Sequence, residues 1–166
     1  MSEKYLVVDQ LKLTYEGLFD AHGVYKLIDG WFYEHGFDKN EKLNQEVITP
    51  NGKDIHLELR PWKKLTDYAN KLINVRIYMK NIKEVEIERG KEKLKMNQGA
   101  VLIIFDATMQ VDYEDKWDAT PFLYFIRMMY DKYVYRRYMD QFEADLIDDL
   151  NRLYAQVKTY LNIYAK

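Results

Sequence analysis

The stretch that decides the fold is residues 120–166, TPFLYFIRMMYDKYVYRRYMDQFEADLIDDLNRLYAQVKTYLNIYAK. It contains no glycine or proline from Phe122 to Lys166. Thr120 before Pro121 is a helix start signal, because threonine caps the first turn and proline at the first helical position lacks only an amide that would be unpaired there. A helix over about 120–165 would be about 65 Å long, which exceeds the width of a domain of this size. Part of it must therefore be held by the domain, and part must lie on the surface or contact a partner.

The apolar pattern of this helix changes along its length. From Phe122 to Met139, apolar and aromatic residues occupy almost the whole circumference, which is typical of a segment surrounded by protein. The pattern then narrows to a seam that is close to a heptad and packs either on the domain itself, as we expect, or on another copy or another protein. Asp140 with Glu143 matches a capping box, which allows a kink or break near residue 140. The seam consists of Met139, Phe142, Leu146, Leu150, Leu153, Val157, Tyr160 and Tyr164.

The first forty residues combine a strand and a helical segment. Residues 5–15 end in strict alternation of apolar and polar side chains, as a half-buried strand requires. Apolar residues then recur every three or four positions over residues 18–32, which is the helical period. Gly36 suits the C-cap of this segment. The sequence thus predicts one helix, or two short helices broken near Gly23 or Gly30.

Antiparallel strands are predicted from residue 41 onward. Gln45 stands between Leu43 and Val47 in an alternating strand that ends at the turn signal of residues 49–52, Thr-Pro-Asn-Gly. Proline and glycine at these positions suit a type I turn followed by a bulge. The next strand alternates over residues 55–59, and we expect Gln45 to share the inward face of its apolar side chains.

Charge predicts the register of a second hairpin, at residues 84–95. With Arg89-Gly90 as a two-residue turn, opposite charges face each other across the pair, and each such contact contributes about 0.2–1 kcal/mol. The predicted charge pairs are Glu88 with Lys91, Glu86 with Lys93 and Glu84 with Lys95.

Asn97-Gln98-Gly99 is predicted to turn the chain into the longest strand, residues 101–113. Its inward row ends at Tyr113, and its first half is apolar on both faces, which is typical of a strand in the interior of a sheet.

These elements predict a single α+β domain over residues 1–166. We expect a curved antiparallel sheet of about six to seven strands packed on the long C-terminal helix, with a helical segment after the first strand. This order of elements resembles the helix-grip superfamily, the START and Bet v 1-like proteins. The resemblance rests on element order, since no family sequence motif matches and the Gly-rich turn of the plant branch is replaced by Pro50-Asn51-Gly52. It implies a cavity between sheet and helix that takes small apolar ligands.

The amino-acid composition excludes several kinds of catalytic and binding site. The chain has no cysteine, and its one serine is Ser2, so serine and cysteine nucleophile chemistry is excluded. His22, His35 and His56 fall on different elements without metal-ligand spacing, so neither a metal site nor a cofactor is predicted. The net charge of −2 makes nucleic acid an unexpected partner, and no apolar run is long enough to span a membrane. We therefore expect a soluble, cytoplasmic protein.

A mixture of aromatic and basic residues over residues 133–138 is also found in nucleic-acid and membrane-surface helices. Asp131, Asp140 and Glu143 offset its positive charge, which favours packing of arginine stems against tyrosine rings instead. A group of carboxylates over residues 112–118 precedes the helix start, where it suits the helix dipole.

Three functional hypotheses remain open at this point. The first is a non-enzymatic domain that binds a small apolar ligand, with Tyr15, Gln45 and Tyr113 as polar groups on otherwise apolar inner rows. The second is an interaction or scaffold protein that forms a homodimer, or binds another protein, through the C-terminal helix seam. The third is a cyclase-like enzyme, a possibility implied by the helix-grip resemblance, although no residue stands out as its base.

Overall fold

The structure, a computed structural model, describes residues 3–111, 121–130, 132–133 and 136–163. It confirms the α+β class, with a six-stranded antiparallel sheet and three helices among the described residues. In chain order the elements are β1 (Glu3–Phe19), α1 (Ala21–Glu34), β2 (Glu41–Thr49), β3 (Gly52–Leu59), β4 (Trp62–Lys64), β5 (Ala69–Arg89), β6 (Glu92–Val111), α2 (Pro121–Tyr130) and α3 (Arg136–Asn162).

Two long strands form the centre of the sheet. The strand order is β1-β6-β5-β3-β2, with β4 paired to β5 beside this path. The inner face carries one continuous apolar row in which Leu13 pairs with Ile103, Ile103 with Ile77, and Ile77 with Leu57. This row and its neighbours form one core cluster with α1 and α3, which cover the inner face. The central position predicted for the strand that begins at residue 101 is confirmed.

The segment after the first strand is one uninterrupted helix, α1. It ends in a Schellman motif, in which the Phe37 amide donates to the Phe32 carbonyl at 2.9 Å and the Gly36 amide to the Tyr33 carbonyl at 3.1 Å. Gly36 has φ +71°, which confirms its predicted place as the glycine that ends the helix. Leu18 belongs to β1 instead, because β1 extends to Phe19.

The C-terminal segment contains two α-helices, α2 and α3, and Lys132 and Tyr133 between them are π-helical. α3 continues through Asp140 without interruption. The capping box predicted at Asp140 is therefore wrong as a break. Thr120, the predicted cap, and Tyr164, the last seam residue, lie outside the described residues.

The predicted turn at Asn97-Gln98-Gly99 is wrong, because β6 runs straight through it. Gly99 pairs with Gly17 of β1, beside a bulge of β5 at Asn81, which has φ +55°. A Cβ on Gly99 would lie 2.8 Å from the Lys80 carbonyl oxygen. The glycine therefore permits a close approach of two strands rather than a reversal of the chain.

The predicted hairpin between β5 and β6 exists, but each glutamate faces the residue two positions further along the chain than predicted. Its turn is Gly90-Lys91, which places Arg89 opposite Glu92. Glu86 faces Lys95 and Glu88 faces Lys93. Gly90 has φ +67° at the first central position of the turn, a conformation that arginine at residue 89 would adopt only under strain.

This register makes a testable prediction about stability. We expect Glu86→Lys and Lys95→Glu together to cost about 0.2–1 kcal/mol less than the sum of the two single changes, because the reversed pair restores opposite charges. Urea unfolding of the four proteins measures this coupling. Glu86→Lys with Lys93→Glu is the control and should show a smaller coupling. A larger coupling to Lys93 would support Arg89-Gly90 as the turn.

The face assigned to Gln45 is also wrong. The β2–β3 hairpin closes with Thr49 opposite Gly52, so only Pro50 and Asn51 lie between the strands. This register places Gln45 opposite His56, and Asn44 rather than Gln45 opposite Leu57. A turn longer by one residue would exchange the two faces, because the side-chain period of a strand is two.

Candidate interaction surface

Two of the three predicted ligand-binding residues can be located, and they lie on opposite faces of the sheet. Tyr15 is half-buried at the end of the inner face, where its hydroxyl donates to the Leu18 carbonyl at 2.7 Å and burial raises the pKa of its phenol. Gln45 is exposed on the outer face of the sheet, in the row that contains Thr14, Leu102, Tyr78 and His56. Tyr113 lies outside the described residues.

The space between the inner face and α3 is filled by side chains. Leu146, Leu150 and Leu153 of α3 belong to the same buried cluster as Phe105 and Met109 of β6. Aliphatic, aromatic and thioether groups therefore meet where the helix-grip resemblance implied a ligand cavity, and the large side chains supply the volume that fills this space.

The C-terminal seam is covered by the protein's own domain, as expected. Four of its members, Leu146, Leu150, Leu153 and Val157, are buried, and Met139, Phe142 and Tyr160 pack partly buried against the same cluster. Leu161 is a further buried residue of α3 that the predicted seam omits. The seam therefore stabilises the fold and does not offer a free surface.

The upstream helix α2 has the opposite environment. Residues 122–139 were predicted to be surrounded by protein, and within this chain seven large apolar side chains of α2 are between 38% and 71% exposed. We call this set the α2 surface. It consists of Phe122, Tyr124, Phe125, Ile126, Met128, Met129 and Tyr130.

Local sequence explains why this segment is helical and apolar on more than one side. Pro121 is its first residue, and the ten residues of α2 contain no carboxylate and a single charged residue, Arg127. Phe122, Ile126 and Met129 are spaced i, i+4 and i+7, so they lie along one stripe of the helix. That spacing is typical of the anchor residues by which an amphipathic helix binds in a groove.

The residues around α2 differ in composition from the rest of the chain. Residues 121–138 hold five of the 15 tyrosines and three of the seven arginines, but one of the 18 lysines. Their net charge is +3, from four cations and one aspartate, in a chain whose net charge is −2. Within this segment Lys132, Tyr133, Arg136, Arg137 and Tyr138 are exposed.

A cleft lies between the start of α3, the ends of β1 and β6, and Tyr68, which precedes β5. It has a volume of about 380 Å³. Its floor is largely apolar, and its rim carries Arg136 and two carboxylates, Asp140 and Glu143. We call it the α3 cleft; its remaining lining residues are Tyr5, Tyr68, Val111 and Met139.

A second depression lies on the outer face of the sheet. It measures about 670 Å³ and is lined mainly by apolar and hydroxyl side chains from β1, β5 and β6, among them Tyr78, Leu102 and Ile104. Glu16 and Lys80 are its charged lining residues. His56 stacks on Tyr78 beside it, with ring centroids 4.3 Å apart. These groups form a shallow apolar floor rather than a cluster of catalytic groups.

Metal-binding and membrane-spanning features can be assessed over the described part of the chain. There, no three His, Asp or Glu side chains are grouped so that they could hold a metal ion. Within the same ranges, no helix combines the length and the apolar character that crossing a membrane requires.

No protein-family model, curated protein or solved structure matches this chain. The resemblance to the helix-grip superfamily therefore stays a prediction from element order.

Proposed function

We propose that this protein is a non-enzymatic interaction domain that binds another protein through the α2 surface. The observation that carries the proposal is the exposure of seven large apolar side chains on one ten-residue helix. Among the described residues, the core cluster comes mainly from the sheet, α1 and α3 and includes no residue of α2. The exposed apolar side chains of α2 can therefore contact a partner without a change in this core.

The size of this surface supports the proposal. An aromatic side chain buries about 150–250 Å², so the exposed fractions of the seven residues amount to on the order of 600 Å². The largest apolar patch on a typical monomeric protein measures about 300–600 Å² and is often functional. Covering this area would contribute on the order of 15 kcal/mol before the costs of association are subtracted. A helix this short is also marginal in water by itself, so a covering partner would stabilise it.

Composition favours a protein as the partner. Tyrosine, phenylalanine, methionine and arginine are the residues enriched in protein interfaces, and they make up most of residues 121–138. Elsewhere the chain uses lysine far more often than arginine, so the local preference for arginine is not a property of the whole sequence. Arginine is the cation suited to interfaces because its planar group stacks on aromatic rings and pairs with carboxylates through two hydrogen bonds.

The absence of cysteine from the chain provides a direct test. A single cysteine at Phe125→Cys reports on α2, and Tyr33→Cys is the matched control, since Tyr33 is an exposed aromatic residue on α1. We expect a thiol reagent to label Phe125→Cys more slowly than Tyr33→Cys in living cells. Labelling follows the population of the unbound form, so a site that is free one-tenth of the time reacts about ten times more slowly.

Two results would contradict the proposal. Equal labelling of both cysteines, in cells and in purified protein at every concentration, would mean that nothing covers α2. Protection that requires vesicles containing phosphatidylserine would identify a lipid surface as the partner instead.

A further inference from the structure

We infer that the partner is a second copy of this chain, bound so that α2 of each copy lies in the α3 cleft of the other. The inference rests on the proposed function, because it names the protein that covers the α2 surface. Its basis is that one molecule presents both halves of the contact. The exposed helix carries apolar side chains with cations close by, and the cleft offers an apolar floor with carboxylates on its rim.

The chemistry of the two halves is complementary. The cleft floor, with Val111 and Met139, suits the aromatic and thioether side chains of α2. Asp140 and Glu143 stand one turn apart on α3, and neither has an ion-pair partner among the described residues. They would accept hydrogen bonds from the cations that follow α2, of which Lys132 and Arg137 are exposed and do not line the cleft of their own chain.

The arrangement closes on itself when two copies are related by a two-fold axis. The cations lie within residues 127–137, and a group of carboxylates follows from residue 140 onward. When two copies approach in antiparallel orientation, the cationic segment of each copy therefore faces the acidic segment of the other. Helix and cleft are close along the chain, because α2 ends at Tyr130 and the α3 residues that line the cleft begin at Arg136. The same contact is then made twice, and no surface is left to continue into a filament.

The area that this contact could bury is similar to that of a specific dimer interface. The α2 surface exposes on the order of 600 Å², and the cleft adds to it, against about 800 Å² per partner in a standard interface. An anionic membrane fits less well, because it would repel Asp140 and Glu143 beside the helix.

Sedimentation of the intact chain tests the inference first. We expect a dimer, and we expect Phe122→Glu to raise its dissociation constant by about thirtyfold or more, as the loss of an aromatic anchor does. Tyr33→Glu is the control and should leave the dissociation constant unchanged. A chain that is monomeric at high concentration, or a dimer that Phe122→Glu leaves intact, would overturn the inference.

A charge exchange distinguishes the proposed contact between α2 and the α3 cleft from non-specific hydrophobic association. One variant combines Lys132→Glu with Arg137→Glu, and the other combines Asp140→Lys with Glu143→Lys. We expect each variant alone to be folded by circular dichroism and monomeric, because like charges meet in both contacts. An equal mixture should form a heterodimer, because opposite charges are restored in both. Two variants that each dimerise as well as the parent chain would overturn the proposed contact.

The two proposals fail in different ways. If the second copy covers α2, labelling of Phe125→Cys in purified protein slows as the concentration rises, whereas that of Tyr33→Cys does not change. If Phe125→Cys reacts freely in purified protein but is protected in cells, the partner is a different protein, and this inference fails while the proposed function stands. If it reacts freely in both, both proposals fail.

Discussion

Leu150→Glu combined with Leu153→Glu is expected to abolish folding. Leu150 is 1% exposed and Leu153 is fully buried, and both lie in the cluster that joins α3 to the inner face of the sheet. Truncation of one buried leucine costs about 2–5 kcal/mol, and a buried carboxylate adds a desolvation cost. Two such changes exceed the total stability of most domains, which is about 5–15 kcal/mol. Circular dichroism and the soluble yield measure the outcome.

Ile147→Glu provides the matched control for this prediction. Ile147 belongs to the same helix but is 39% exposed, so glutamate can reach water and the cost should stay near 0.5 kcal/mol. A double leucine variant that melts at the normal temperature would mean that α3 does not lie on the sheet. The experiment separates the role of the seam in folding from the binding role proposed for α2.

The seam and the fold class could be predicted because apolar periodicity reports directly on burial. Leu146, Leu150, Leu153 and Val157 repeat at helical spacing beside charged residues, and an amphipathic helix of this kind must cover something. The strand from Val101 onward was equally clear, since apolar side chains occupy every second position from Val101 to Val111. These features depend on many residues, so a local ambiguity cannot reverse them.

Register could not be predicted, because it depends on one or two residues of a turn. Glutamates at 84, 86 and 88 and lysines at 91, 93 and 95 alternate with a period of two, so a shift by one pair still places opposite charges together. Gln45 was assigned to the wrong face because β2 is largely exposed, so that burial does not select between its two sides. Gly99 resembled a turn residue because its true constraint, the bulge at Asn81, belongs to a neighbouring strand.

The α2 surface shows a different limit of sequence reasoning. Apolar residues around a whole helix indicate that the helix is covered, but they do not identify the cover as the same domain. The usable signal was the local excess of arginine and tyrosine over residues 121–138, which distinguishes an interface from a core. The α3 cleft could not be foreseen, because Tyr5, Tyr68 and Asp140 are distant in sequence and meet only in the folded chain.

A buried ion pair between the sheet and α3 is expected to give the second large effect. Lys71 of β5 bonds to Asp149 of α3, and the two side chains are 7% and 19% exposed. The Lys71 ammonium also lies 5.3 Å from the centre of the Phe37 ring. Asp149→Ala should therefore cost about 3–5 kcal/mol, because it leaves a cation without its carboxylate in a site that water hardly reaches. Thermal or urea unfolding measures this loss.

Removing both charges should restore most of that stability. Lys71→Met with Asp149→Leu replaces the ion pair by apolar side chains, and such replacements are often neutral or stabilising. Asp148→Ala is the control, since Asp148 pairs with Arg152 at 2.6 Å in an exposed position where an ion pair contributes about 0–1 kcal/mol. If Asp149→Ala and Asp148→Ala had equal small effects, Lys71 would have to reach water in the folded protein. A large loss at Asp149, recovered in the double variant, would show that the cost comes from leaving the Lys71 cation buried without a carboxylate.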